Sequence, residues 1–191
     1  MSRGQTPSQT IGPFFAYGLT PEQYGYPLRS IAGANLRDPA TEGDEITITG
    51  RVFDGEGAAV PDAMIEIWQA DPQGRYRLPG SKGNRGFSGF GRCGTGSGPE
   101  SGFRFITYKP DRVDDQQAPH ISVIVFMRGL LSHLYTRLYF ADETEANLRD
   151  PLLSSLDPAR RATLIAELSA PGAYRFDIHM QGDRETVFFD V

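Results

Sequence analysis

The stretch APHISVIVFMRG, residues 118–129, contains the residue types and spacing in this chain that come closest to a metal site. Apolar and polar positions alternate over a β-branched run, which predicts a strand. Residues two apart on a strand point to the same side of the sheet, so positions 120 and 122 share a face. Two histidines there would converge on one cation, but only His120 is present and position 122 is Ser122. The stretch is therefore either part of a metal site or a strand with a polar face.

Other residues that could do chemistry are isolated from one another. His133 and His179 have no histidine at ligand spacing, and Cys93, the only cysteine, has no CxxC partner. The chain has no G-x-S-x-G nucleophile motif, and its paired carboxylates lie in polar segments typical of solvated turns. Residue types and spacing alone therefore predict a β-rich domain without a self-sufficient active site.

The composition narrows the class of protein and its partners. The chain has 191 residues, 39% hydrophobic residues and a net charge of −5, as expected for one globular domain with an arm. An acidic chain without a basic run is a poor candidate for binding nucleic acid or an anionic membrane. Its apolar runs are too short to span a bilayer. A polar N-terminus and a single cysteine predict a cytoplasmic location.

The elements that position these residues are mostly strands. Residues 1–44 are rich in glycine, proline and aromatic residues and are predicted to form an N-terminal arm, and residues 45–191 a β domain. Two helical segments are predicted, a turn or two over 142–150 and a longer helix over 156–169. Residues 77–101 are glycine-rich and predicted to be a long surface loop. Alternating segments predict strands over 45–54, 63–71, 102–110, 118–129 and 133–142, and a closing hairpin of 173–182 with 184–191. Short strands separated by turns predict an all-β fold, an antiparallel sandwich or barrel.

A longer stretch, ITITGRVFDGEGAAVPDAMIEIWQADPQGRY (46–76), resembles the intradiol ring-cleavage dioxygenase family. The resemblance rests on Gly50, the Val60–Ala63 turn, the Glu66–Ala70 strand and Gly74–Tyr76, in that order. It continues through GFRFITYKP, APHI, TRLYFAD and YRFDIHMQG, so it covers nearly all of 45–191. It implies an intradiol-type β-sandwich and cleavage of a small aromatic substrate by O2.

The resemblance also implies that the metal ligands have been lost. Family enzymes hold Fe(3+) with two tyrosines and two histidines, the histidines as an H-x-H pair. His120 matches the first histidine and Ser122 replaces the second, and no tyrosine lies between Tyr76 and Tyr108 or from 109 to 134. We therefore expect no metal in this chain, and Fe(3+) in a homologous, iron-binding beta subunit that is its partner.

Family resemblance further implies that this chain contributes substrate-binding residues to the partner's pocket, though no catalytic residue of its own. These are Arg128, at the end of the predicted strand, and four arm residues, namely Thr10, Gly12, Pro13 and Phe14. A guanidinium can bind a substrate carboxylate, and glycine allows backbone to approach a ligand closely. Arg137, inside a predicted strand, is interpreted as a member of a structural ion pair.

Two other classes of protein remain open from the sequence. The pattern VFDGEGAAVPDAMIEIWQ (52–69) is also a feature of some β-sandwich binding modules, so the chain could bind a carbohydrate or peptide without catalysis. It could also be a dioxygenase that works alone with an irregular iron site. Iron content of the isolated chain separates these alternatives.

Overall fold

The computed structural model describes residues 17–77, 86–96 and 101–190. The elements lying wholly within these ranges are a 3-10 helix at Pro21–Tyr24, strands β1 (Glu45–Gly50), β2 (Val52–Phe53), β3 (Met64–Gln69), β4 (Phe90–Gly94), β5 (Phe103–Tyr108), β6 (His120–Phe126), β7 (Leu134–Phe140), β8 (Ile165–Ala170), β9 (Ala173–Arg175) and β10 (Ile178–His179), and helices α1 (Thr144–Arg149), α2 (Pro151–Ser155) and α3 (Pro158–Ala162). Among the described residues, no helix is both long and apolar enough to cross a membrane.

Eight strands form one sheet in the order β4-β3-β6-β7-β8-β9-β1-β5, and β2 pairs with β10 apart from it. Most neighbours are antiparallel, while β7 with β8 and β1 with β9 are parallel. The edge strands β4 and β5 lie against each other, so the sheet is nearly closed, like a barrel. The predicted all-β fold class and the strands predicted within 45–54, 63–71, 102–110, 118–129 and 133–142 are confirmed.

Strand β6 lies inside the sheet, between β3 and β7, and its two faces have different surroundings. Ile121, Val123 and Val125 are at most 2% exposed and pack in the main core. The alternate positions, from His120 to Phe126, lie on the opposite face, as the alternation predicts. A second, smaller core lies beneath the helices and includes Tyr139 and Leu153.

The helix predicted over 156–169 is wrong in its second half. Asp157 caps α3 by accepting hydrogen bonds from the backbone N–H groups of Ala159 and Arg160, but the helix ends at Ala162. The chain then continues as β8, whose Ile165 pairs with Tyr139 of β7. The spacing of the apolar residues at 164, 165 and 168 imitates a helix. In the structure Leu164 and Ile165 pack in the second core, whereas Leu168 is 46% exposed.

Two further predictions require correction. The loop predicted over 77–101 contains β4, which pairs antiparallel with β3. The hairpin predicted over 173–191 is not a regular ladder, because β9 pairs with β1 and β8 and β10 pairs with β2. The chain does turn at Gly182, which has a φ of 94°, and the Thr186 N–H donates to the His179 carbonyl. Near the C-terminus, Phe189 instead bridges to Tyr135 of β7.

The segment before β1 is attached to the domain through residues 33–37. Leu36 is 6% exposed and belongs to the main core, and its N–H donates to the Ile106 carbonyl of β5. Gly91 of β4 allows this contact, since a Cβ there would lie 2.6 Å from Leu36 Cδ1. The predicted boundary between an arm and a domain at 44/45 remains a prediction.

Candidate functional site

The candidate metal-site and substrate-binding residues in the described part of the chain lie toward the two ends of β6. His120 begins the strand and Ser122 follows on the same face, while Arg128 lies two residues beyond its end. Eight residues of extended chain span about 26 Å, so His120 and Arg128 belong to two separate places on the surface.

The imidazole of His120 is held in one orientation. Nδ1 lies 2.9 Å from the Ala118 carbonyl oxygen, and because a carbonyl only accepts hydrogen bonds, Nδ1 carries the hydrogen. Burial lowers the pKa of His120, and the Arg137 guanidinium lowers it further, against the effect of the Ala118 hydrogen bond. The ring is therefore neutral at pH 7, with its lone pair on Nε2. This tautomer is the one in which a histidine binds metal through Nε2.

Ser122 sits in a row of side chains across three strands. Trp68 of β3 and Arg137 of β7 are its partners in register on either side. The Tyr76 ring stacks on Trp68, with centroids 6.1 Å apart and planes 5° apart. Burial raises the pKa of Tyr76, while the Arg137 charge and a hydrogen bond with Ser122 work in the opposite direction. We call Trp68, Tyr76, Ser122 and Arg137, with His120 beside them, the polar face.

Arg137 contacts neutral oxygen atoms. Its Nη1 donates to Gln117 Oε1 at 3.4 Å and to the Tyr139 hydroxyl at 3.3 Å. Among the described residues no carboxylate pairs with it, so the prediction of a structural ion pair is wrong for this part of the chain. The nearest carboxylate in the network, Asp150, is reached only through the Tyr139 hydroxyl, which donates to it at 3.5 Å.

Asp150 is fully buried, and its hydrogen bonds connect the surroundings of the polar face to helix α2. Its carboxylate accepts from the N–H groups of Leu152 and Leu153 at the start of α2 and from the Ala118 N–H at 2.9 Å. Burial raises the pKa of Tyr139 to about 12, so its hydroxyl remains a neutral donor. The helix cap and the orientation of His120 therefore depend on the same short segment around Ala118.

The polar face does not fit the ferric site that the family resemblance implies. It offers one imidazole, while Ser122 stands in the second histidine position and a weak neutral hydroxyl replaces imidazole there. The guanidinium of Arg137 is close enough to perturb the pKa of His120, and its charge would repel a trivalent cation. Across the described ranges, no group of three or more histidine, cysteine or carboxylate side chains could hold a metal ion.

At the other end of β6, Arg128 is 62% exposed and forms an ion pair with Asp62. The distance from Nε to Asp62 Oδ2 is 3.0 Å, and the Asp62 side chain is only 10% exposed. Gly129 follows with a φ of 86°, a conformation that glycine adopts without strain, and turns the chain away from the strand. The guanidinium is thus anchored through one nitrogen.

The other candidates within the described residues, His133, His179 and Cys93, have contacts outside the polar face. Thr10, Gly12, Pro13 and Phe14 lie outside the described residues. His133 Nε2 is 2.7 Å from the Tyr135 hydroxyl, and His179 stacks on Phe53. Cys93 lies in β4, where burial raises the pKa of its thiol.

Sequence reasoning missed Trp68 and Tyr76 as members of the polar face, Gln117 as a partner of Arg137 and Asp62 as the partner of Arg128. Trp68, Tyr76 and Asp62 lie inside the stretch 46–76, so the resemblance pointed to their segment though not to their contacts. Gln117 carried no signal, because its meeting with Arg137 depends on the register between β6 and β7.

The fold agrees with comparisons to known proteins. Residues 29–182 match the family model described as Dioxygenase. The chain belongs to the intradiol ring-cleavage dioxygenase family. An intradiol ring-cleavage dioxygenase from Tetranychus urticae shares the fold, with a TM-score of 0.61 at 17% identity over 93% of this chain and 94% of that one.

Two curated relatives are more specific. The chain is 50% identical to the protocatechuate 3,4-dioxygenase alpha chain of Burkholderia cepacia, over 98% of both sequences. It is 31% identical to the protocatechuate 3,4-dioxygenase beta chain of the same organism, over 73% of this chain and 66% of the other. Similarity to the alpha chain is thus both higher and more complete.

Proposed function

We propose that this chain is the alpha subunit of a protocatechuate 3,4-dioxygenase, working in the cytoplasm with a homologous beta subunit. The single observation that carries the proposal is the 50% identity to an alpha chain over 98% of both sequences. The assembled enzyme would use O2 to cleave 3,4-dihydroxybenzoate to 3-carboxy-cis,cis-muconate, a step in the catabolism of aromatic compounds.

In this proposal Fe(3+) belongs to the beta subunit and not to this chain. The support is the donor set of the polar face, where Ser122 and the Arg137 guanidinium occupy neighbouring positions in register. A self-sufficient dioxygenase would need several oxygen or nitrogen ligands at one point. In the described part of the chain, the polar face offers His120 as its single imidazole, beside the Arg137 charge. The chemistry of ring cleavage is therefore assigned to the partner.

The role proposed for this chain is to complete the partner's substrate pocket. Arg128 is anchored by Asp62 through Nε, so its two terminal nitrogens remain available for the bidentate contact that guanidinium makes with a carboxylate. The arm residues Thr10, Gly12, Pro13 and Phe14 are proposed to line the same pocket. The carboxylate of 3,4-dihydroxybenzoate is the group that Arg128 would bind.

The test is expression of this chain alone and together with an H-x-H-bearing beta subunit. We expect the chain alone to be colourless, iron-free and inactive, and the co-purified pair to contain iron and to consume O2 with 3,4-dihydroxybenzoate. Stoichiometric iron and ring cleavage by the chain alone would instead establish a self-sufficient dioxygenase. Failure to co-purify with a beta subunit that is itself folded would leave the non-catalytic binding module as the better description.

A further inference from the structure

The polar face carries a positive charge that the described residues do not neutralise. Arg137 is half-buried, and its two hydrogen bonds, at 3.3 and 3.4 Å, are long and end on neutral oxygens. A partly desolvated guanidinium without a carboxylate partner is costly, and a bound anion removes that cost. Asp150 does not supply the anion, because its oxygens accept from three backbone N–H groups.

Hydroxyl donors surround the same charge. Ser122 lies directly opposite Arg137 on the neighbouring strand, where side chains on one face are about 5 Å apart. The Tyr76 hydroxyl is close enough to both Ser122 and Arg137 for each of them to lower its pKa. A guanidinium with two neighbouring hydroxyls is a suitable set of donors for a carboxylate.

The wall of the polar face is aromatic and flat. Trp68 and Tyr76 stack in parallel, and the Phe90 ring lies 6.2 Å from Trp68. All three are only half-buried, so this apolar surface is open to a ligand. A ligand that fits both the aromatic wall and the Arg137 guanidinium would have a small planar body beside the rings and a negative group on the guanidinium.

We propose that the polar face of this chain is a binding site for a small planar organic carboxylate, whose carboxylate group pairs with Arg137. The site is built from this chain's own β3, β6 and β7 and the segment after β3. It requires neither iron nor a residue of the partner, so it stands or falls independently of the function proposed above.

The chain provides its own probe, because Trp68 is its only tryptophan. The full-length chain is titrated with benzoate while Trp68 fluorescence is followed, and with the neutral isostere benzamide and with acetate in parallel. We expect saturable binding of benzoate with a dissociation constant on the order of 1 mM, and binding at least about tenfold weaker for benzamide and for acetate. No saturable response to benzoate, or equal binding of benzamide, overturns the proposal.

Substitutions of Arg137 test whether its positive charge binds the carboxylate of benzoate. Arg137→Gln is expected to weaken benzoate binding at least about tenfold, because a charged hydrogen-bond donor is removed, while Arg137→Lys retains part of the affinity. Arg149→Gln is the matched control, since it removes the same charge from an exposed helix position and should bind benzoate normally. Unchanged affinity in Arg137→Gln, or equal losses in Arg137→Gln and Arg149→Gln, contradicts the proposal. If Arg137→Gln does not fold, the benzoate–benzamide comparison and Arg137→Lys decide the question.

Discussion

The two ends of β6 hold their polar side chains in different ways. At the first end, His120 is 5% exposed and Arg137 is half-buried, and each hydrogen-bonds to neutral groups within a network that reaches Asp150. At the second end, Arg128 is 62% exposed and is held by a single ion pair. The first end is therefore tied more closely to the rest of the fold than the second. The following substitutions test this difference.

The largest effect is expected at the buried end. Asp150→Ala should lower the free energy of unfolding by about 3–4 kcal/mol, because three buried or partly buried N–H groups lose their acceptor. Urea unfolding followed by Trp68 fluorescence measures the change. Asp157→Ala is the control, since Asp157 caps α3 in the same way on the surface and should cost only about 1 kcal/mol. Equal losses in the two variants would contradict the special role of Asp150.

A smaller effect should depend on pH. Asp142, two residues after β7, accepts from Lys109 Nζ at 2.8 Å and from the Tyr174 hydroxyl at 2.9 Å. Burial alone would raise the pKa of Asp142, but these hydrogen bonds and the Lys109 charge outweigh it and hold the pKa below its usual value. The carboxylate therefore stabilises the fold above its unfolded pKa of ~3.9, and this contribution disappears as the pH falls through the lower, folded pKa.

The variant Asp142→Asn measures that contribution. At pH 7 it should destabilise the chain by about 1 kcal/mol, since the group is partly exposed and solvent screens the interaction. The difference from the parent chain should shrink as the pH falls below ~3.9. A difference that stays constant down to acid unfolding would show that the charge of Asp142 is unimportant.

At the exposed end, Arg128→Ala should leave the iron content and the assembly of the complex nearly unchanged. In the complex with the beta subunit, it should raise KM for 3,4-dihydroxybenzoate roughly fivefold, which corresponds to about 1 kcal/mol for a solvent-accessible charge contact. Catechol, which lacks the carboxylate, should lose much less. Arg149→Ala controls for the loss of an exposed positive charge. Equal losses with both substrates would assign Arg128 to the surface and not to the pocket.

The smallest effect is expected from Ser122→His. This substitution restores the two histidines on one strand face, but the phenolate ligands stay absent and the Arg137 guanidinium stays in the adjacent position. We expect neither iron nor ring cleavage from the chain alone, as measured by metal analysis and O2 consumption. Iron bound by the variant at a one-to-one ratio would show that Ser122 alone had prevented metal binding.

The fold could be predicted where the residue pattern matched the real environment. β6 is an example, because its apolar residues face the core and its polar residues face away. β8 could not, since only Ile165 and Ala166 pair with β7 and the rest of the strand is exposed, which leaves no alternation to recognise. In β4, Gly91 and Gly94 interrupt the pattern because Leu36 and Gln23 pack closely against them.

The candidate site shows the same limit. His120 and Ser122 could be placed on one face from their spacing alone. The contact of Arg137 with Gln117 and the anchoring of Arg128 by Asp62 depend on strand register and on the course of loops, which residue types do not determine.

The position of Ala118 has a consequence for the motions of the buried end of β6. Its N–H is bound by the carboxylate that starts α2, and its carbonyl fixes the imidazole of His120. The cap of α2 and the direction of the imidazole are therefore mechanically linked through one peptide unit on each side of Ala118. Local unfolding of α2 is expected to release the ring of His120 at the same time, so that the two motions form a single event.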